Sequence, residues 1–200
     1  LSNVNAPFGL RPVGRLDGSP YTAGARVYSV PASDGTAIYV GDPVKLVGTG
    51  QIINGSPMTD VARANTGDTM VGVCIGALPD TRDSTQSRAA STQRRILVAD
   101  DPSLIFEVQQ SNSGTAFSVN DIGLNCNINT STAGSAITSL SGVVADNATG
   151  ATTNTLDLKI VGVLDAPDND VGSAAGTGSL ASRLLVRINR HAYVNQSTGV

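Results

Sequence analysis

The side chains that could do chemistry are few and scattered. The chain has a single histidine, His191, close to its C-terminal end. A Ser-His-Asp site would need it as the general base. No Gly-x-Ser-x-Gly elbow offers it a serine, so it reads as a packing or surface residue. Lys45 and Lys159 each precede an apolar residue and lack the glycine-rich lead-in of a phosphate-binding loop. Asp100-Asp101-Pro102 follows the expected strand Arg-Arg-Ile-Leu-Val-Ala (94–99), and Glu107 stands on the next one. Adjacent acids could exchange protons or take part in glycoside hydrolysis. The same residues also make a turn in which Asp accepts backbone N–H groups, and the turn is the expected role. Asp165, Asp168 and Asp170 resemble part of a calcium loop, but the EF-hand spacing and its closing Glu are missing. No catalytic residue, metal or cofactor is expected, and the chain is not expected to be an enzyme.

Composition narrows the partners. Of 200 residues only 14% are charged, and the formal net charge is −3, against about 25% charged in a typical soluble domain. With no basic cluster, binding to nucleic acid is not expected, because it needs many Lys and Arg contacts to phosphate. No apolar stretch approaches the ~20 residues of a membrane span. The opening Leu-Ser-Asn-Val-Asn lacks the basic-then-apolar pattern of a secretory signal, so assembly inside a cell is expected. Cys74 and Cys126 lie in apolar runs and read as buried free thiols, a mutual disulfide being the alternative. A surface this poor in charge is expected to meet other protein.

Two segments carry the candidate contact residues. Phe8, Leu10 and Arg11 lie in residues 1–25, where Pro7 and Pro12 favour an extended N-terminal arm expected to dock on a neighbour, the alternative being that it folds back on its own domain. Arg82, Arg88, Arg94 and Arg95 cluster in and just after 79–93, and arginine is enriched at protein interfaces. The alternative for that cluster is a solvated loop with weak surface pairs.

The elements that must position these residues read as short strands. Leu104, Phe106 and Val108 alternate with Ile105, Glu107 and Gln109; Leu124, Cys126 and Ile128 alternate with Asn125, Asn127 and Asn129. Leu156, Leu158 and Ile160, and then Leu184, Val186 and Ile188, repeat the pattern. A period of two marks a half-buried strand. Residues 70–78 form an apolar run that suits a buried strand. Ser56 and Pro57 predict a short helix ending at Gly67. Residues 79–93, 130–141 and 165–182 read as loops. The expected fold is all-β: a single antiparallel β-barrel or jelly-roll-like sandwich over 26–200, with the arm ahead of it.

The opening Asn5-Ala6-Pro7-Phe8-Gly9-Leu10-Arg11-Pro12-Val13 resembles that of head structural proteins of tailed bacteriophages, encoded beside the major capsid protein. The likeness continues through Asp34–Val44, Val71-Gly72-Val73, Thr81–Ser84, Val98–Pro102, Phe106–Gln109 and Gly123-Leu124-Asn125. The resemblance implies a capsid decoration, or cement, protein without catalytic residues, built on a small β-barrel, β-tulip or jelly roll. Such a protein binds the exterior of an icosahedral shell and clamps adjacent subunits of the major capsid protein, as a dimer or trimer. It implies a virion location and assembly in the bacterial cytoplasm; Phe8, Leu10 and Arg11 of the arm, with Arg82, Arg88 and Arg94 in and after the loop 79–93, are then the residues expected to dock on shell protein or a sister subunit. The alternative function is a carbohydrate- or receptor-binding β-sandwich on a virion surface, using the Asn- and Asp-rich loops. With no Trp and 4 Tyr, the chain is poorly equipped for it.

Overall fold

The structure, a computed structural model, describes residues 3–172, 178–196 and 199. Its strands are β1 (Arg11–Arg15), β2 (Arg26–Val30), β3 (Pro43–Ile53), β4 (Ser56–Arg63), β5 (Gly72–Ala77) and β6 (Arg94–Ala99). They continue with β7 (Leu104–Gln109), β8 (Asn125–Asn129), β9 (Val144–Ala151), β10 (Leu158–Val163) and β11 (Arg183–Ile188). The one helical turn among the described residues is a 3-10 turn, Val119–Asp121, capped by Ser118. The all-β expectation holds.

The strands divide into two sheets. β2-β4-β3-β5-β6 closes into a barrel, while β1-β7-β11-β10-β8-β9 remains an open six-stranded sheet. All the strand pairings are antiparallel except β2 with β4, which meet in parallel at Ser29 and Asp60 alone. Barrel closure therefore rests on one narrow contact.

Each sheet has its own core. Tyr28, Val30, Val44, Val61, Cys74, Ile96 and Val98 fill the barrel. Leu104, Phe106, Val108, Cys126, Ile128, Leu158, Ile160, Leu184, Val186 and Ile188 form the second core, joined by Met70, Val73 and Ala99 from the barrel side. Val73 and Cys74, neighbours on β5, thus point into different cores. A strand buried on both faces must be apolar throughout, which accounts for the run 70–78. Gly72 lets β5 lie close to β6: a Cβ there would sit 2.3 Å from the Ala99 carbonyl oxygen. Cys74 and Cys126 are free and buried. Loss of hydration pushes the Cys74 thiol up to about 12 and raises that of Cys126 as well.

Two local expectations are overturned. The helix predicted from Ser56 is strand β4. Asn54 and Gly55 both have positive φ, 53° and 80°, which makes a type I′ turn and folds β4 back on β3 as a hairpin. Residues 3–25, the described part of the expected arm, do not lie outside the domain: Arg11–Arg15 pairs with β7 as the edge strand of the open sheet. Before it, the segment is strapped to its own chain. Asn3 donates to the Asp170 and Leu180 carbonyls at 3.0 and 3.1 Å, and the Ala6 N–H donates to Gln109 Oε1 at 2.9 Å. At Gly9 (φ 77°) a Cβ would meet the Gly41 carbonyl oxygen at 2.5 Å. Glycine is what lets the chain pass against the barrel there and deliver Leu10 to the core.

Candidate interaction surface

The structure scatters the residues that sequence alone grouped as contacts. Leu10 is 1% exposed, deep in the core beneath the open sheet. Its carbonyl-facing N–H donates to Gly41 O at 2.9 Å. Its assignment to a docking surface is therefore corrected: burial of an apolar side chain next to β7 outweighs display. Phe8 is half-buried, and the Arg11 guanidinium carbon stands 5.0 Å from its ring centroid. Arg11 also pairs with Glu107, whose other oxygen lies 3.6 Å from Arg183. Phe8 and Arg11 flank two shallow clefts. One, of about 250 Å³, is lined by Asn3, Val4, Gln109 and Arg183, and the other, of about 310 Å³, by Pro12, Tyr21, Ile75 and Leu140.

The arginines of 79–93 part company. Arg82 is exposed. Arg88 is fully buried, and its guanidinium donates to the carbonyls of Pro31, Asp34, Thr36 and Thr92 at 2.6–2.8 Å. The Asp34 carboxylate lies 3.9 Å away. Burial pulls the Arg88 pKa down and Asp34 opposes that pull. Arg94, also buried, donates to the carbonyls of Leu78, Ser87 and Thr85 at 3.1, 2.9 and 2.6 Å. Loop carbonyls that turn away from water must find donors, and one planar guanidinium can satisfy several at once. Arg88 and Arg94 are thus internal fasteners, a second correction to the contact reading.

The acids are equally committed. Asp101 accepts from the Ser103 hydroxyl at 2.7 Å and its N–H at 2.8 Å, and pairs with Arg15 at 2.8 Å. The Ser103 bonds lead in holding its carboxyl below the ordinary range. Asp100 accepts from the Tyr28 hydroxyl at 2.8 Å. Asp168 pairs with Arg183, and Asp170 accepts from the Ser179 hydroxyl at 2.7 Å. His191 is 3% exposed; its Nδ1 accepts from the Tyr193 N–H at 3.2 Å, and burial pushes its pKa down. Among the described residues, no three His, Cys, Asp or Glu side chains gather where they could hold a metal ion. Among the described residues no helix is long and apolar enough to cross a membrane.

What sequence reasoning missed is the outer half of the β3–β4 hairpin. β3 pairs with β5 only at Pro43 and Val44, and β4 meets β2 only at Asp60. From Leu46 to Thr59 the hairpin therefore runs on past its barrel strand partners as a two-stranded ribbon, exposed or half-exposed at every residue, and it touches the barrel where Gln93 Nε2 donates to Gln51 Oε1 at 2.6 Å. No charged residue occurs in it. Ile52, near its tip, is 77% exposed. The ribbon is braced at its base by Asp60, which accepts from Ser29, from Thr49 Oγ1 at 2.9 Å and from Gln51 Nε2 at 2.8 Å. Burial pushes the Asp60 carboxyl up, but these bonds together outweigh it and hold the pKa below the ordinary value. The signal was present: Asn-Gly between apolar residues marks a hairpin.

Two further apolar side chains stand out in solvent, Val4 at 80% and Ile137 at 97% exposure. Comparison with known proteins returns no match: no family model, curated protein or solved structure is significantly similar to the chain.

Proposed function

We propose that the chain is a non-enzymatic structural protein of a virion, a cement protein that binds the outer surface of a phage capsid. It clamps adjacent subunits of the major capsid protein and acts as a homo-oligomer after assembly in the host cytoplasm. One observation carries the reading. The most exposed apolar side chains, Val4, Ile52 and Ile137, sit on three separate elements: the N-terminal segment, the ribbon tip and the loop 130–141. Single apolar contacts are weak, but contacts dispersed over a rigid body reinforce one another, because each raises the effective concentration of the next. That is the arrangement needed to bridge subunits. The sparse charge of the chain, 14%, and the resemblance of its opening residues to phage head proteins support the same reading.

The test is sedimentation of lysate from the native source on a density gradient, probed for this chain. Co-migration with megadalton particles and the major shell protein is the expected result. A chain confined to the top of the gradient overturns the reading and favours a free binding module.

A further inference from the structure

The ribbon has one unprotected edge, and its geometry says which. In a type I′ hairpin the residues flanking the turn form a hydrogen-bonded pair, here Ile53 and Ser56. Antiparallel pairs alternate, so Gln51 and Met58 also bond across the hairpin. Ile52 with Pro57 and Gly50 with Thr59 then direct their peptide groups away from it. On β4 that edge is blunted, because Pro57 has no N–H to offer. On β3, Gly50 and Ile52 keep both donor and acceptor, and beyond Val44 no strand among the described residues takes them. Natural edges are usually guarded by charge, often lysine; none lies between Lys45 and Asp60.

We propose that a second copy of the chain takes this edge, β3 pairing antiparallel with β3 of the other copy about a two-fold axis at Gln51. The sequence of the edge is self-complementary for that axis. Gly50 and Ile52 are the residues with outward peptide groups, and the axis sets each Ile52 opposite the Gly50 of the other copy. Both project to the same face of the ribbon, so the large exposed side chain passes over a position with no side chain. Gly50 already lacks room for one, since a Cβ would lie 2.8 Å from the Met58 carbonyl oxygen. Identical strands pairing antiparallel bring like charges face to face wherever a charge occurs near the axis; an uncharged edge avoids this. The result is a four-stranded ribbon β4-β3-β3-β4 with its open edges reduced to those blunted by Pro57. Such an isologous contact closes at two copies.

The proposal deepens the homo-oligomer part of the proposed function but concerns only the contact of the chain with itself. It is tested on the purified full chain, so its failure is distinct from a failure to sediment with shells. Sedimentation velocity over a concentration series is expected to show a monomer–dimer equilibrium. Ile52→Pro removes an outward donor on each copy and spares the bonds of the hairpin, so it should raise the dimer Kd by roughly tenfold to a hundredfold. Ile52→Lys, which keeps the backbone donor but charges the edge, should act in the same direction. Gln51→Cys places thiols opposite each other at a non-hydrogen-bonded pair, where Cα atoms are about 4.5 Å apart and a disulfide can form. Oxidation should cross-link that variant into dimers and leave Met58→Cys uncross-linked. A wild-type chain monomeric throughout the series, a dimer indifferent to Ile52→Pro, or cross-linking at Met58→Cys instead of Gln51→Cys overturns the proposal.

Discussion

The loop 79–93 and the ribbon 46–59 form an instructive pair. The loop is rich in arginine and looks from its composition like a contact surface, yet its Arg88 and its neighbour Arg94 are turned inward and tie up seven carbonyls between them. The ribbon has no charge at all and looks from its composition like something to bury, yet it stands in solvent. Charge therefore marks the interior fastener and its absence marks the outward element, the reverse of the usual expectation. The physical reason is backbone accounting. An irregular loop packed against a barrel must supply donors for its own carbonyls. A two-stranded ribbon satisfies half its backbone by itself and leaves the other half for water or a partner.

The sharpest way to break this contrast is Arg88→Ala. It leaves the carbonyls of Pro31, Asp34, Thr36 and Thr92 without their donor and should cost about 3–5 kcal/mol, as loss of a buried charged partner does. Arg94→Ala should cost less, about 2–3 kcal/mol, because fewer carbonyls depend on it. Urea denaturation checks both, and a loss under about 1 kcal/mol for Arg88→Ala would mean that water replaces the guanidinium without penalty.

Next in size is the base of the ribbon. Asp60→Asn exchanges an acceptor-only carboxylate for an amide and should cost about 1–2 kcal/mol at neutral pH. Its pH dependence has a definite sign. The folded pKa of Asp60 lies below the ordinary value of 3.8, so below that value the unfolded chain binds more protons. Stability contributed by Asp60 is thus complete above about 3.8 and is lost as pH falls through the lower folded pKa. The acid limb of the stability profile should be shallower in Asp60→Asn; an unchanged limb would remove Asp60 from it.

The smallest effects should fall on the surface members of the two regions. Arg82→Ala and Ile52→Asp should each change the stability of the monomer by no more than about 0.5 kcal/mol, read by thermal unfolding at low concentration. They should differ in association, where Ile52→Asp weakens self-pairing and Arg82→Ala does not. Equal behaviour in both readouts would dissolve the comparison.

Much of the fold is legible in the residues. The alternations through Leu104–Val108 and Leu184–Ile188 become β7 and β11, with the apolar set in the core as the period of two requires. The apolar run 70–78 becomes a strand covered on both sides. Ser56-Pro57 misleads because capping and first-turn preferences are local, whereas the Asn54-Gly55 turn brings β4 into register with eleven-residue β3. The contact residues were less legible. Phe8 and Arg11 do share a surface, but Leu10 two residues from Phe8 is core, since the edge strand it leads into is paired with β7.

Alternating apolar side chains, an Asn-Gly turn and a shortage of charge are local properties, and by themselves they determine that this chain folds into strands and that its surface is weakly charged. Which strands close into a barrel, and which of two arginines six residues apart is buried, depends on partners far along the chain. Arg82 and Arg88 have the same side chain; only Arg88 meets the turn 31–36, brought to it across the Ile38–Arg88 bridge. Tertiary structure decided that difference, because a guanidinium is held inside only where distant carbonyls converge on it.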